Sequence, residues 1–320
     1  MEALSPSHIS GKLLGVPMKA RVTKVFSQID IRVVLWGIIA IYTLLLPNAI
    51  VVYRTLVKYI GQTGAGKIPL ISILVFGSAY AWYGYRKTGH FKHLWYLMPS
   101  GLIALAIIQL EANPNKHIHI PEYVLMAWLL YAVLSKDYKG SGIFALIMLC
   151  GSFMGVVDEL EQGIHPRRFY GWSDMLVNSA STLIGIFTLL GVARRSTRDW
   201  GWRLYLSDYK HEISVLIFGL SGAIFMSAQL FFVQTYNVFW GAYPRWLFTW
   251  NILFIANLLI LLYRRWRIFW QHLPNSLVDD LISVNASAIT ARLWIYPLLT
   301  IVAFMHALVV FVALFGLSFR

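Results

Sequence analysis

Acidic residues are scarce in this chain, with 14 Asp and Glu among 320 residues, yet several of them cluster between residues 111 and 174. Carboxylates grouped in this way can bind a cation or act as general acid and base, and neighbouring Lys and Arg residues can bind an anion. The candidate catalytic residues are Asp158, Glu159, His119 and Asp174. The candidate substrate-binding residues are Lys116, Glu122, Tyr123, Gln162, Arg168 and Asn178. These residue types alone assign neither a metal nor a cofactor.

The spacing of these residues predicts that three helix ends carry them. His119, Glu122 and Tyr123 are three and four residues apart, and a helix places residues at this spacing on one face. Two further pairs are four residues apart, namely Asp158 with Gln162 and Asp174 with Asn178. Polar stripes on three helices are therefore expected to face one pocket.

The rest of the sequence provides membrane-spanning helices that position these residues. Only 13% of the chain is charged, whereas soluble domains contain about 25% charged residues. Apolar runs recur at the length of about 20 residues that crosses a bilayer, so the predicted fold is all-α, a polytopic transmembrane helical bundle of about nine helices. The predicted spans are 31–53, 68–86, 95–111, 120–135, 142–160, 172–193, 213–235, 244–263 and 293–318.

The distribution of Lys and Arg predicts the orientation of the bundle. When the predicted spans alternate across the membrane, most of the 27 Lys and Arg residues lie on one side of it. Lys and Arg are enriched in cytoplasmic loops, so this distribution places the N-terminus inside and the C-terminus outside. Loops 109–123 and 158–174 then share the outer side. A charged side chain at membrane depth costs about 2.5–3.5 kcal/mol on insertion scales, so charges beside these loops should pair or serve a function. We expect an outward-facing polar pocket in which Lys116, Arg167 and Arg168 are partners for the acids.

Composition and motifs exclude several function classes. The net charge of +13 is interpreted as a topology signal and as attraction to anionic membrane lipids, and nucleic acid is not an expected partner. The single cysteine, Cys150, lies within a predicted span, which excludes a disulfide framework. The segment GQTGAGKI at 61–68 is similar to a phosphate-binding loop, but Ile68 stands where Ser or Thr would hold magnesium. We interpret this segment as a flexible connector.

The predicted organisation divides the chain near residue 194. Residues 1–30 form a basic cytoplasmic segment, and residues 31–193 form a membrane domain of six helices. Residues 194–212 form a charged inner loop, and residues 213–320 form a membrane extension of three helices. Three polar residues within the extension are expected to form hydrogen bonds between helices, namely Asn251, Asn257 and His306.

Two blocks of the sequence resemble the VanZ-like family of membrane proteins, within a match over roughly residues 70–193. They are NKHIHIPEY at 115–123 and DELEQGIHPRRFYGWSDMLVNSASTLIG at 158–185. The matching positions are Lys116, His119, Tyr123, Asp158, Glu159, Gln162, Pro166, Arg168, Asp174, Asn178 and Gly185. Asn115, Arg167 and Ser181 depart from the family pattern, which has an acid and two glycines there. The resemblance implies a cell-envelope protein of the prokaryotic cytoplasmic membrane, since the family is associated with low-level teicoplanin resistance.

The polar cluster leaves more than one function open. In the first interpretation the pocket binds or processes an anionic cell-envelope substrate, such as a phosphate-bearing lipid or a lipid-linked glycan. Arg168 and Lys116 would bind the anion, and Asp158 or Glu159 would act as base or cation ligand. In the alternative the protein is an accessory subunit of a larger complex, the cluster holds three helix ends together, and residues 194–320 contact other membrane subunits. Transport is disfavoured because the acids lie near the outer ends of the helices.

Overall fold

The computed structural model describes residues 18–111, 113–138, 140–193, 201–272 and 286–320, and these residues form helices without any strand. The predicted all-α fold is thereby confirmed. Residues 1–17 of the predicted basic segment and residues 194–200 of the predicted inner loop lie outside the described residues. The helices are α1 (Met18–Leu45), α2 (Ala49–Thr88), α3 (Leu97–Leu110), α4 (His119–Leu134), α5 (Ile143–Ile164), α6 (Trp172–Val192), α7 (Lys210–Tyr236), α8 (Phe239–Ala242), α9 (Arg245–His272) and α10 (Ala286–Phe315).

Eight segments of the described residues are long and apolar enough to cross a membrane. The first segment, Ile31–Thr88, is 58 residues long and covers both the first and the second predicted span. The eight segments therefore account for all of the predicted spans, and the chain is a multi-pass membrane protein. Helix α5 continues past the predicted end at residue 160 to Ile164, so Glu161 and Gln162 are helical.

The first two spans are joined without an extended loop. A short 3₁₀ turn, Leu46–Asn48, separates α1 from α2, and Gly61 interrupts α2 with φ 74° and ψ 166°. Glycine tolerates this backbone conformation because it has no Cβ. Residues on both sides of Gly61, from Leu46 to Leu56 and at Ile68, line the same cavity, so the chain reverses direction between them. The segment 61–68 connects the first two spans, as predicted, but it continues as helix after Gly61 and is not an extended loop.

Contacts at the two ends of α4 establish which loops share a side. Tyr42 donates a hydrogen bond to the carbonyl of Glu122 near the start of α4, whereas Arg32 pairs with Asp137 beyond its end, at 2.5 Å. Helix α1 is therefore antiparallel to α4. The backbone N–H of Arg320 donates to the carbonyl of Gly163 at the end of α5, which lies on the Glu122 side of the bundle. Loops 111–119 and 163–173 thus share one end with residue 320, and Arg32 lies at the other.

Helices α4, α5 and α6 pack closely enough to require small residues. A Cβ placed on Gly185 of α6 would lie 2.6 Å from the Cβ of Ala127 and 3.1 Å from the carbonyl oxygen of Val124, both in α4. Close backbone approach of this kind is common where helices associate in membranes, because small residues allow extensive van der Waals contact. This contact holds the helix ends that carry the polar residues.

We expect Gly185→Ala to lower the free energy of unfolding by about 2 kcal/mol, because the added methyl group overpacks the α4–α6 contact. Thermal or SDS-induced unfolding of the purified protein measures this change. The matched control is Gly101→Ala in α3, where an added Cβ would meet no atom within 4 Å. Equal stabilities of the two variants would contradict the expectation.

The last three long helices are joined by a buried hydrogen-bond network. His306 Nδ1 of α10 lies 2.6 Å from Asn251 Oδ1 of α9, and His306 Nε2 lies 2.9 Å from the carbonyl of Gly219 in α7. Asn251 Nδ2 in turn donates to the hydroxyl of Tyr243 at 2.6 Å. The predicted hydrogen bonds between helices are confirmed for Asn251 and His306. The prediction is wrong for Asn257, which donates to Leu253 within its own helix.

An ion pair anchors the opposite end of these helices. Glu212, the last residue of the predicted inner loop, lies in the first turn of α7 and is fully buried. Arg265 Nε donates to Glu212 Oε1 at 2.5 Å, and the hydroxyl of Tyr296 lies 3.4 Å from the same oxygen. Glu212 therefore ties α7 to α9 and α10.

Candidate functional site

Lys116 joins the loop before α4 to the start of α6. Its Nζ lies 2.7 Å from Asp174 Oδ1, 3.1 Å from Glu111 Oε2 and 3.0 Å from Ser173 Oγ. Asp174 is buried in the first turn of α6, where the positive end of the helix dipole also favours a carboxylate. The ammonium of Lys116 is thus compensated by two acids of the protein itself.

His119 and Glu122 form a pair on the first turn of α4, as their spacing predicts. His119 Nδ1 lies 3.0 Å from Glu122 Oε2, close enough for an ion pair but without hydrogen-bond alignment. His119 is buried and Glu122 is half-buried. The hydroxyl of Tyr42 fixes the same turn by donating to the carbonyl of Glu122 at 2.9 Å.

Asp158 and Glu159 lie in the interior between α4, α5 and α6, and both are fully buried. The hydroxyl of Tyr123 lies 3.3 Å from Asp158 Oδ2, and the backbone N–H of Gly171 donates to Glu159 Oε2 at 3.0 Å. The second oxygen of each carboxylate has no hydrogen-bond partner among the described residues, and neither does the side chain of buried Asn178. Buried polar groups of this kind are normally paired, so this interior is suited to ordered water or a shared proton.

Gln162 holds the side chain of Arg168. Arg168 Nε donates to Gln162 Oε1 at 2.9 Å, and Nη2 donates to the same oxygen. Arg168 makes no ion pair with a carboxylate among the described residues, although Asp158 is close enough to act on it electrostatically. The guanidinium therefore keeps donors for a further acceptor.

A cavity of about 270 Å³ opens beside Arg168, and we call it the Arg168 cavity. Its polar lining residues are His119, Glu122, Arg168 and Tyr53. Its walls are apolar and come mainly from α2 and from the 3₁₀ turn before it, including Leu46, Ile50, Leu56, Ile68 and Pro69. The cavity thus combines an apolar wall formed by membrane-crossing segments with a cationic rim.

Further positive charge surrounds the loop that carries Arg168. The pKa of His165 is lowered from its ordinary value, first by partial burial and then by the charges of Arg168, Arg167 and Arg54. These three arginines come from the loop and from α2, so two elements contribute to one positive region. An anion is the ligand that this field favours.

The structure brings the predicted site residues together at one end of α4, α5 and α6, but in two layers. His119, Glu122 and Arg168 line the Arg168 cavity, whereas the other predicted residues do not. Those seven residues pack in the helix interior or in the Lys116 cluster, and they are Lys116, Tyr123, Asp158, Glu159, Gln162, Asp174 and Asn178. No group of three or more His, Cys, Asp or Glu residues in the described part of the chain could hold a metal ion.

Sequence reasoning missed the wall of the cavity and several contacts within the cluster. The wall residues of α2 are ordinary apolar residues, and nothing in their spacing distinguishes them from lipid-facing ones. Glu111 and Ser173 could have been found, because both stand in the two polar loops that were predicted to share a side. The N–H of Gly171 carries no signal in the sequence, since every residue other than proline has one.

Comparison with known proteins adds no relative of this chain. No protein-family model, no curated protein and no solved structure matches it.

Proposed function

We propose that this membrane protein binds an anionic amphiphile, such as a phosphate-bearing lipid or a lipid-linked molecule, in the Arg168 cavity at the outer face of the membrane. The observation that carries the proposal is the lining of the cavity. Apolar walls from membrane-crossing segments adjoin a guanidinium that has no carboxylate in ion-pair contact. Arginine suits this role because its fixed fork of N–H donors matches phosphate and carboxylate oxygens.

The charges at the cavity favour an anion over a cation. The carboxylate of Glu122 is partly compensated by His119, whose Nδ1 lies 3.0 Å from Glu122 Oε2. The positive potential in the cavity therefore comes from Arg168. Arg54 and Arg167 reinforce this field from α2 and from the loop. These three side chains would repel a cationic head group, and a neutral one would gain hydrogen bonds but no attraction between charges.

The size of the cavity supports a ligand that is only partly enclosed. Pockets that take up whole drug-sized ligands have volumes of about 300–1,000 Å³, and the Arg168 cavity has about 270 Å³. A head group with the first methylenes of its chain fits this volume, while the remainder of the chain stays in the bilayer. The apolar wall of α2 offers the surface along which such a chain would extend.

The assignment to the VanZ-like family, to the cell envelope and to a prokaryotic cytoplasmic membrane is part of this proposal. Its support is that the two similar sequence blocks, 115–123 and 158–185, supply the residues of a single site. Catalytic roles for Asp158, Glu159, His119 and Asp174 stay a prediction. Only His119 among them lines the cavity, so binding is the function that the geometry favours.

Mass spectrometry of the protein purified in mild detergent tests the proposal directly. We expect a phosphate-bearing lipid to be retained by the wild-type chain and lost from Ala49→Phe, because Ala49 lines the cavity and a phenyl ring would fill it. The matched control is Ala40→Phe on the exposed face of α1. Retention of the same lipid by both variants, or no retained anionic lipid in the wild type, would overturn the proposal.

Binding should strengthen as the pH falls through the pKa of His165. Because partial burial and then the charges of Arg168, Arg167 and Arg54 lower the pKa of His165, its side chain is neutral at neutral pH and gains its proton only at lower pH. A bound anion raises this pKa, so protonation and binding reinforce each other. We expect the affinity for phosphatidylglycerol, whose phosphodiester does not titrate here, to rise about threefold from about pH 7.5 to a pH below the pKa of His165. A titration at each pH with wild type and His165→Ala measures it, and a similar rise in the variant would contradict the prediction.

A further inference from the structure

Residues 316–320, which follow α10, pack against the loop that carries Arg168. We define the Arg168 loop as residues 165–171, between α5 and α6. Gly316 ends α10 with a positive φ of 61°, a conformation that commonly terminates helices and that favours glycine. The chain thereby turns from the last helix towards the Arg168 loop, which lies far from it in sequence.

Phe319 is the side chain that fixes this contact. It is only 1% exposed, and its ring centroid lies 5.4 Å from that of Tyr170 in the Arg168 loop. A Cβ on Gly163 would lie 2.3 Å from Phe319 Cζ, so the ring packs directly on the backbone of α5. Tyr170 is itself held by Phe231 of α7, with ring centroids 4.7 Å apart. The Arg168 loop is therefore packed between the two halves of the protein.

Arg320 ties the two ends of the loop together through its backbone. Its N–H donates to the carbonyl of Gly163 at 2.8 Å, and its carbonyl accepts from the N–H of Tyr170 at 2.7 Å. Arg320 Nη1 also donates to the carbonyl of Pro166 at 2.8 Å. One residue thus bonds to the chain before, within and near the end of the loop, so the conformation of the loop depends on this segment.

We propose that Leu317–Arg320 is a positioning segment that fixes the Arg168 loop over the Arg168 cavity. The segment does not itself line the cavity, and it acts by restricting the backbone on both sides of Arg168. A prepositioned guanidinium binds an anion more tightly because less conformational entropy is lost on binding. The link to affinity rests on the proposed function, whereas the effect on loop mobility does not.

Spin labelling of the purified protein tests the positioning. Phe169 is 65% exposed within the loop, and the single natural cysteine, Cys150, is fully buried, so Phe169→Cys gives one accessible labelling site. We expect Phe319→Ala to increase the mobility of this label and to lower the affinity for phosphatidylglycerol about fivefold. Phe315→Ala is the matched control, because Phe315 is the last residue of α10, four residues before Phe319, and is 67% exposed.

A second variant and a second label site distinguish a positioning role from a general loss of structure. Gly163→Ala displaces the Phe319 ring from the opposite side, and it should mobilise the label in the same way. A second label at Leu204→Cys, which is 82% exposed and lies outside the loop, should be unaffected by either variant.

The outcomes distinguish this inference from the proposed function. A label at residue 169 whose mobility is unchanged in both Phe319→Ala and Gly163→Ala overturns the positioning role. A mobilised label in a protein whose wild type binds no anionic lipid supports the positioning role and overturns the proposed function. Mobilisation at residues 169 and 204 together would mean that the whole fold loosens, and this result also overturns the inference.

Discussion

Arg168→Ala should lower the affinity for an anionic phospholipid about tenfold to a hundredfold. Hydrogen bonds to a charged group contribute about 1.5–3 kcal/mol, and the substitution removes both the charge and the donors that face the Arg168 cavity. Titration of phosphatidylglycerol into protein held in phosphatidylcholine nanodiscs measures the change. Arg168→Lys should fall between wild type and Ala, because lysine keeps the charge but loses the planar donors that Gln162 orients.

Arg167→Ala is the control for this experiment. Arg167 is the neighbouring residue and carries the same charge, but it is exposed and is not part of the cavity lining. Its removal should weaken binding only slightly, through the long-range field. Equal losses at the two positions would mean that a diffuse surface charge attracts the lipid, and this result would contradict a defined site at Arg168.

The helical bundle could be predicted from the sequence because its signal is local. Each span is a continuous apolar run, and the boundaries of α4 and α6 agree closely with the predicted spans. A reversal between the first two spans follows from their predicted order. Its helical form could not be predicted, because the polar residues between the two spans, from Arg54 to Lys67, fit a loop as well as a helix. The buried position of Glu212 was missed for a related reason: its partner Arg265 is distant in sequence.

The candidate site was predictable where it depends on helical spacing and on the side of the membrane. The pairing of His119 with Glu122 follows from their separation by one helical turn. Two predicted spans separate the two polar loops, so both loops lie on the same side of the membrane and can contact each other. The ion pair of Lys116 with Asp174 is consistent with this prediction. Spacing does not reveal which of two cations keeps free donors. Only the structure distinguishes Lys116, which two acids neutralise, from Arg168, which an uncharged amide holds.

The contribution of the last residues could not be predicted at all. Phe319 stands between Ser318 and Arg320, just past the last predicted span, where an aromatic residue also fits the membrane interface, and its burial depends on the shape of the Arg168 loop. Gly163, which permits the contact, is one of 23 glycines in the chain. Contacts that depend on a tertiary fit leave no periodic pattern, so they appear only once the helices are assembled.

Lys116→Met should lower the free energy of unfolding by about 3 kcal/mol. The substitution keeps the length of the side chain but leaves buried Asp174 and half-buried Glu111 without their cation, and an uncompensated buried charge is costly. Thermal and SDS-induced unfolding measure the loss. Asp174→Asn in the Lys116→Met background should restore much of the stability, since it removes the unpaired charge. A Lys116→Met variant as stable as the wild type would contradict the expectation.

The Lys116→Met variant also tests which of the two predicted anion ligands, Lys116 or Arg168, contacts the lipid. If Lys116 holds the loop before α4 against α6, then Lys116→Met combined with Asp174→Asn should regain stability and bind the lipid nearly as well as the wild type. Arg168→Ala should show the opposite pattern, with binding lost and a smaller loss of stability than in Lys116→Met, because its removal breaks hydrogen bonds to the uncharged amide of Gln162 and no ion pair. A double variant that is stable but binds no lipid would instead place Lys116 among the residues that contact the anion.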